Sequence, residues 1–206
     1  MESLAVYVGA SLALIATPGQ DMLYVVSRSL AQGRMAGVAS AAGVSLGILV
    51  HTAFAAFGVG ALLLASEGLF LAVKLAGAIY LVALGLRMLF TRTADVQALA
   101  TAPRASLGRL LRDGLVSNVT NPKIVVFFLA FLPQFVDPAS AHATRDLALL
   151  GALYAAMALV VKSAVGLAAG SVAERVLQRR ALLAWANRAC GAVLVGLGLR
   201  LAATPR

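Results

Sequence analysis

Residues 117–123 read SNVTNPK, and they fall inside a run, 114–136, that is otherwise apolar enough to cross a membrane. Two asparagines, a threonine, a proline and a lysine are costly to place in hydrocarbon. A second polar interruption, IATPGQD at 15–21, lies in the first apolar run. Irregular polar backbone at membrane depth is tolerated where it lines a cavity inside the protein. The two interruptions therefore point to an interior site.

The surrounding chain supports a membrane setting. Of 206 residues, 61% are hydrophobic and only 12% charged, and the mean hydropathy is +0.93; soluble domains are closer to half apolar. The length fits one transmembrane domain, 1–206, with no separate soluble module. The net charge of +9 raises nucleic acid as a partner, but the basic residues form no stripe with interleaved aromatics. They sit between apolar runs, as membrane topology requires. Cys190 stands alone, so no intrachain disulfide is available. The opening MESLAVYV carries Glu2 and no basic start, which argues against a cleaved signal peptide.

A helix needs about 20 apolar residues to cross a bilayer. Six runs qualify: 4–30, 39–65, 69–90, 114–136, 144–172 and 181–202. Between the third and fourth lies the one long polar connection, 91–113, whose end SLGRLLRD reads as a short interfacial helix with Leu107, Leu110 and Leu111 toward lipid. With the N-terminus outside, the inner side collects Arg28, Arg34, Arg87, Arg92, Arg104, Arg109, Arg112, Arg175, Arg179, Arg180 and Arg188. The outer side keeps only Lys74, Arg145, Arg200 and Arg206. Basic residues favour the cytoplasmic side, so both termini are expected outside the cytoplasm.

LVALGLR at 81–87 matches LVGLGLR at 194–200 at six of seven positions. These are the third spans of two three-span halves, and the first span of each half carries a proline break. Three is odd, so the halves lie upside down relative to each other. The expected fold is an all-α membrane protein of six transmembrane helices. They form two inverted three-helix repeats, 1–90 and 114–206, joined by the cytoplasmic loop 91–113, with helices 1 and 4 broken. Broken helices at matching positions mark a secondary transporter's binding site.

Thr17-Pro18-Gly19-Gln20 reads as a helix start, with Thr17 as N-cap, Pro18 at the first helical position and Gln20 at the third. Asn121-Pro122 repeats the first two elements, with Asn121 as cap. Restarted helices expose free N–H groups and a positive dipole end, which suit carboxylates. Expected substrate contacts are Thr17, Pro18, Gly19, Gln20 and Asp21 from the first break. Asn118, Asn121, Pro122 and Lys123 supply the second set. The plainer reading is a pair of proline kinks that serve packing.

Asp21, Lys123 and Lys162 lie in the spans, and His51 and Lys74 are weaker members of the group. Each central charge costs about 2.5–3.5 kcal/mol, so these residues are paired or sit in a wet cavity. Asp21, His51 and Lys162 are the candidates for proton coupling. Their structural alternatives are an Asp21–lysine pair and a hydrogen-bonded interior histidine. Lys74 lies near an outer helix end and is expected to snorkel. Gly43 and Gly47 form a GxxxG pattern that lets another helix approach closely, so both are expected to be structural.

The segments ATPGQDMLYVVSRSLAQGRMAG, AAGVSLGILVH, KLAGAIYLVALGLRML and NVTNPKIVVFFLAFLPQFV resemble the LysE/RhtB family of bacterial amino-acid exporters. They do so in the expected order across nearly the whole chain. The resemblance implies a six-span protein of the bacterial inner membrane, in which the charge bias would put both termini in the periplasm. It implies export of amino acids such as homoserine, threonine, leucine or lysine in exchange for protons. Two departures stand out: Gln20 where many relatives have a second proline, and Ile48 where many have an acidic residue.

The leading expectation is a secondary exporter of small amino acids working by alternating access. Lys123 and the half-helix N-termini would hold the carboxylate, and Asp21 the ammonium or a proton. The partners are a small amino acid, protons and the bilayer, without nucleic acid, metal or cofactor; a homodimer is compatible with the sequence. No phosphate loop supports ATP drive. An exporter of a drug or cation is the first alternative, although no ligand cluster of His, Cys and Asp favours a metal. An intramembrane enzyme is the second, although neither a Ser/His pair on facing helices nor HExxH is evident.

Overall fold

The structure is a computed structural model of the chain and describes residues 2–17, 19–59, 67–90, 104–137, 140–169 and 180–203. Among these there are helices and connections but no strands. The helices are α1 (Glu2–Ala16), α2 (Gln20–Gln32), α3 (Arg34–Phe54), α4 (Glu67–Phe90) and α5 (Leu107–Val119). After them come α6 (Pro122–Val126), α7 (Ala143–Ala169) and α8 (Arg180–Ala203). A π-helical turn, Ala55–Val59, extends α3, and α6 continues as a π turn, Phe127–Phe131, and a 3-10 turn, Leu132–Phe135.

The described part of each apolar run is mainly helical, although 60–65 of the second run and 170–172 of the fifth lie outside the described residues. Two stretches are long and apolar enough to cross a membrane by themselves, Arg34–Gly58 and Ala143–Ala168. The pair Leu107–Val119 and Pro122–Phe135 qualifies as one span bent by 54°. The helices α4 and α8 have 24 residues each, about 36 Å at 1.5 Å per residue. In the first run α1 ends at Ala16 and α2 starts at Gln20, and α2 turns into α3 at Gly33, whose φ of 91° is favoured only for glycine.

The segment expected as a separate interfacial helix is instead continuous with the fourth run, because SLGRLLRD is the beginning of α5. Ser106 caps it, its side chain accepting from the Arg109 amide. Leu107 is exposed as expected, but Leu110 is fully buried, and its carbonyl accepts a hydrogen bond from the Tyr24 hydroxyl at 2.9 Å. The reason is packing: α5 lies against α3 and α2, so only part of its circumference is free. Gln32 and Ala105 exchange two hydrogen bonds of 2.9 Å, side chain to backbone each way, fastening the chain before α5 to the end of α2. Most of the expected loop 91–113 lies outside the described residues.

Small residues set the helix crossings. A methyl at Gly43 would strike the Leu111 backbone, and one at Gly47 would lie 2.7 Å from Asn118 Cβ. The GxxxG face of α3 thus admits the backbone of α5, as its spacing predicts. Gly37 meets Gly166 where α3 and α7 cross, and Gly151 meets Thr52 farther along the same pair. The Ser29 hydroxyl also donates to the Gly166 carbonyl, drawing α2 into this junction.

The pair α4 and α8 is built from the repeated heptapeptide. A methyl at Gly85 would lie 2.6 Å from the Gly191 carbonyl and 2.8 Å from the Val195 side chain. A methyl at Gly198 would lie 2.9 Å from the Ala78 carbonyl and 2.7 Å from the Val82 side chain. Gly85 and Gly198 occupy the same position in the repeat, and so do Val82 and Val195. The contact is reciprocal.

Candidate functional site

The two breaks meet. Helix α1 ends at Ala16, and the Thr17 hydroxyl turns back to donate to the Ala13 carbonyl at 2.7 Å. Thr17 therefore closes α1 instead of capping α2, a correction to the capping-box expectation. A threonine one turn beyond a carbonyl competes for it in this way, and a side chain so engaged is turned away from the next helix. Gly19, extended at φ −160° and ψ −173°, is the N-cap of α2 and supplies no side-chain hydrogen bond. Pro18 lies outside the described residues.

The second break behaves as its sequence predicts. Asn121 Oδ1 accepts from the Lys123 amide at 3.1 Å, and Pro122 occupies the first position of α6. Only five residues of regular α-helix follow before the π turn. The restarted segment runs on through the π and 3-10 turns to Phe135, so it is a half-helix of mixed winding.

Contacts between the breaks hold them together. The Gln20 side chain donates to the Ser117 carbonyl at 3.2 Å. Asn118 Nδ2 donates to Asp21 Oδ2 at 2.7 Å. The Lys123 ammonium donates to the Leu14 carbonyl at 3.2 Å, near the negative end of α1, where a cation is favoured. A methyl on Gly19 would lie 3.3 Å from that same ammonium nitrogen. Glycine leaves room for the lysine to reach across.

Asp21 is the centre of the arrangement. It is 1% exposed, and Lys162 of α7, 3% exposed, places its Nζ 3.9 Å from Asp21 Oδ2. His51 of α3 is buried, and its Nε2 lies 3.2 Å from the Asn118 carbonyl. The site thus draws side chains from α2, α3, α5, α6 and α7. Lys74 is buried where snorkelling was expected, because α4 packs against the α6 segment as well as α8.

Three polar atoms here have no hydrogen-bond partner among the described residues: Asp21 Oδ1, Asn118 Oδ1 and Asn121 Nδ2; outside this binding group, the buried Tyr154 hydroxyl has none either, and Ser11 lies beside Tyr7. A buried polar group left unpaired costs about 1–3 kcal/mol, so each of these atoms has hydrogen-bonding capacity to offer an entering group. Ser11 and Tyr154 were missed by sequence reasoning. One signal was legible for each. Ser11 follows Tyr7 by one helical turn, and Tyr154 precedes Lys162 by two, so each shares a face with another polar residue.

Beside the polar cluster lies an aromatic one. The Tyr154 ring centroid is 4.9 Å from that of Phe127 and 5.6 Å from that of Phe128. Phe131 and Tyr7 extend the group through Phe127. The phenylalanines belong to the π turn after α6 or flank it, so the break that shapes the polar site also positions its apolar wall. Turns of this kind recur at functional sites.

The profile of the LysE type translocators matches residues 12–204. The chain belongs to that family. It is 32% identical to an uncharacterized membrane protein of Pseudomonas aeruginosa over 95% of this chain and 93% of the relative. It is 31% identical to an uncharacterized membrane protein of Vibrio cholerae, over 90% and 89%. A leucine efflux protein of Salmonella typhimurium is 28% identical over 95% and 92%. No solved structure matches the chain. The family, the relatives' names and the apolar helices indicate a membrane transport protein, and the matched region includes both breaks and every residue that meets at Asp21.

Proposed function

We propose that this translocator is a secondary exporter of small amino acids, driven by proton antiport and working by alternating access in the bacterial inner membrane. The observation that carries the proposal is the set of unpartnered atoms around Asp21. Two acceptors, Asp21 Oδ1 and Asn118 Oδ1, suit an ammonium group; one donor, Asn121 Nδ2, suits a carboxylate. Lys123 adds positive charge beside the donor. A zwitterion carries both groups on one carbon and would satisfy both ends of the site at once. A lone cation or a neutral drug would satisfy one end at most. The leucine efflux proteins among the relatives support the same substrate class.

Asp21 and Lys162 supply the exchange. A carboxylate that holds either a substrate ammonium or a proton couples the two fluxes, and Lys162 stands close enough to occupy it between turns. The reciprocal seam of α4 and α8 supports two inverted halves, and the charge asymmetry supports termini on the periplasmic side. Efflux from cells preloaded with a panel of amino acids, with and without a protonophore, tests the reading. The expected result is faster release of one class than in cells lacking the protein, with the protonophore abolishing the difference. Unchanged release across the panel would overturn it.

A further inference from the structure

Tyr154 is 1% exposed, and its ring is packed among Phe127 and Phe128. Those neighbours would suit a phenylalanine equally well, so packing gives no reason for the hydroxyl. That hydroxyl has no partner among the described residues, and a buried unpartnered hydroxyl is unfavourable. It lies within electrostatic reach of the Asp21 carboxylate and of Tyr7. The carboxylate oxygen that Asn118 leaves free, Oδ1, is also unpartnered.

The hydroxyl is not isolated along the molecule. On α1, the Tyr7 hydroxyl donates to the Leu150 carbonyl at 2.7 Å, one turn before Tyr154 on α7. Ser11, fully buried, follows Tyr7 by one turn and interacts with its hydroxyl. Both helices begin at the same side of the membrane in the proposed topology, the outer one. Tyr7, Ser11 and Tyr154 therefore lie between the outer ends of α1 and α7 and the Asp21 site. The other charged or titratable groups around Asp21 are Lys162 on α7, His51 on α3 and Lys123 on the α6 segment. Lys162 already contacts the other carboxylate oxygen, His51 contacts the Asn118 carbonyl, and Lys123 contacts Leu14.

We propose that Tyr154, with Ser11, forms a hydroxyl relay that passes protons between the outer side and Asp21. The proposal rests on the proton-antiport reading and adds to it the route. A hydroxyl is both donor and acceptor. A proton arriving from the outer side by way of Ser11 binds the Tyr154 oxygen while the tyrosine's own proton leaves to a bridging water, which passes one of its own protons to Asp21 Oδ1. One O–H bond forms at the carboxylate, one is replaced at each of Ser11, Tyr154 and the water, and no electrons change hands. Protonated Asp21 no longer holds an ammonium group and releases it.

Proteoliposomes separate the relay from the binding site. The probe is radiolabelled leucine, measured in two modes: accumulation driven by a pH gradient, and exchange of labelled for unlabelled leucine without a gradient. Tyr154→Phe keeps the ring and removes the hydroxyl. It is expected to lower gradient-driven accumulation about tenfold while exchange stays within about twofold of wild type. Ser11→Ala, a smaller change, is expected to act in the same direction, and the double variant no less than Tyr154→Phe. Normal accumulation by the double variant would overturn the relay and leave antiport standing. Equal loss of both modes at normal abundance would also overturn it, assigning Tyr154 to substrate binding. A wild-type protein that exchanges leucine but ignores the gradient would overturn the antiport reading and the relay together.

Discussion

Lys162 Nζ stands 3.9 Å from Asp21 Oδ2, while Asn118 Nδ2 donates to that same oxygen at 2.7 Å. The amide is the close partner and the ammonium the distant one. At that separation the lysine compensates the buried charge without closing a tight hydrogen bond. A loosely held carboxylate can change partners, as a transport cycle requires, where a tight bidentate pair resists exchange.

Asp21→Asn tests that relationship. The variant resembles the protonated carboxyl and leaves Lys162 buried without its counter-charge. Removing one partner of a buried pair costs about 3–5 kcal/mol, so abundance in the membrane is expected to fall. Lys162→Met in the same chain should restore abundance, since the orphaned charge is gone. Proton-driven accumulation in inside-out vesicles should stay absent in both. Immunoblots beside vesicle uptake give the answer, and full coupling in a well-expressed Asp21→Asn protein would rule out both roles.

The second break offers a contrast between cap and charge. Asn121→Ala removes the side chain that accepts from the Lys123 amide, a cap worth about 0.5–2 kcal/mol, and it also removes the unpartnered Nδ2. Export should therefore fall much further than protein level. Lys123→Met should insert normally, because it deletes a charge from the membrane interior, and should weaken uptake of a zwitterion. Normal export by Lys123→Met at equal abundance would make that lysine structural.

Glycine positions separate crossing from composition. Gly43→Ala drives a methyl into the Leu111 backbone, and overpacking of this kind costs about 1–3 kcal/mol. At Gly196 nothing lies within 4 Å of the added methyl, and alanine is the better helix former by about 1 kcal/mol. Thermal unfolding in detergent should show a lower midpoint for Gly43→Ala and an unchanged or raised one for Gly196→Ala. Equal effects would mean that the α3–α5 crossing yields to the added methyl.

Topology is checked with reporters. A cytoplasm-active enzyme fused after Arg206 should be silent, and one inserted in 91–113 should be active. The opposite pattern would reverse every inside and outside assigned above.

Local chemistry was legible in the sequence and distant pairing was not. Asn121-Pro122 announces a cap because donor and acceptor are two residues apart, and the GxxxG of Gly43 and Gly47 announces a close crossing without naming its partner. Thr17 misled because a threonine after an apolar helix can turn backward as well as forward, and both geometries share one local pattern. The hydrogen bond from Asn118 to Asp21 joins residues 97 apart, and no period or spacing encodes it. Lys162 could be recognised as a charge needing compensation, yet only the packing of α7 against α2 selects Asp21 as its partner. Tyr154 was hidden for the opposite reason: an aromatic residue in an apolar helix looks like core until its hydroxyl is found without a partner.

The Gly85–Gly198 seam has a consequence for how many chains are needed to close it. Each side presents a glycine to a valine and to a small residue's carbonyl on the other, so the surface is complementary to itself under a half-turn. Such a surface does not distinguish α8 from a second copy of α4 running the opposite way. Joining the two helices in one polypeptide gives each its oppositely running mate, so the chain closes this seam without a second copy.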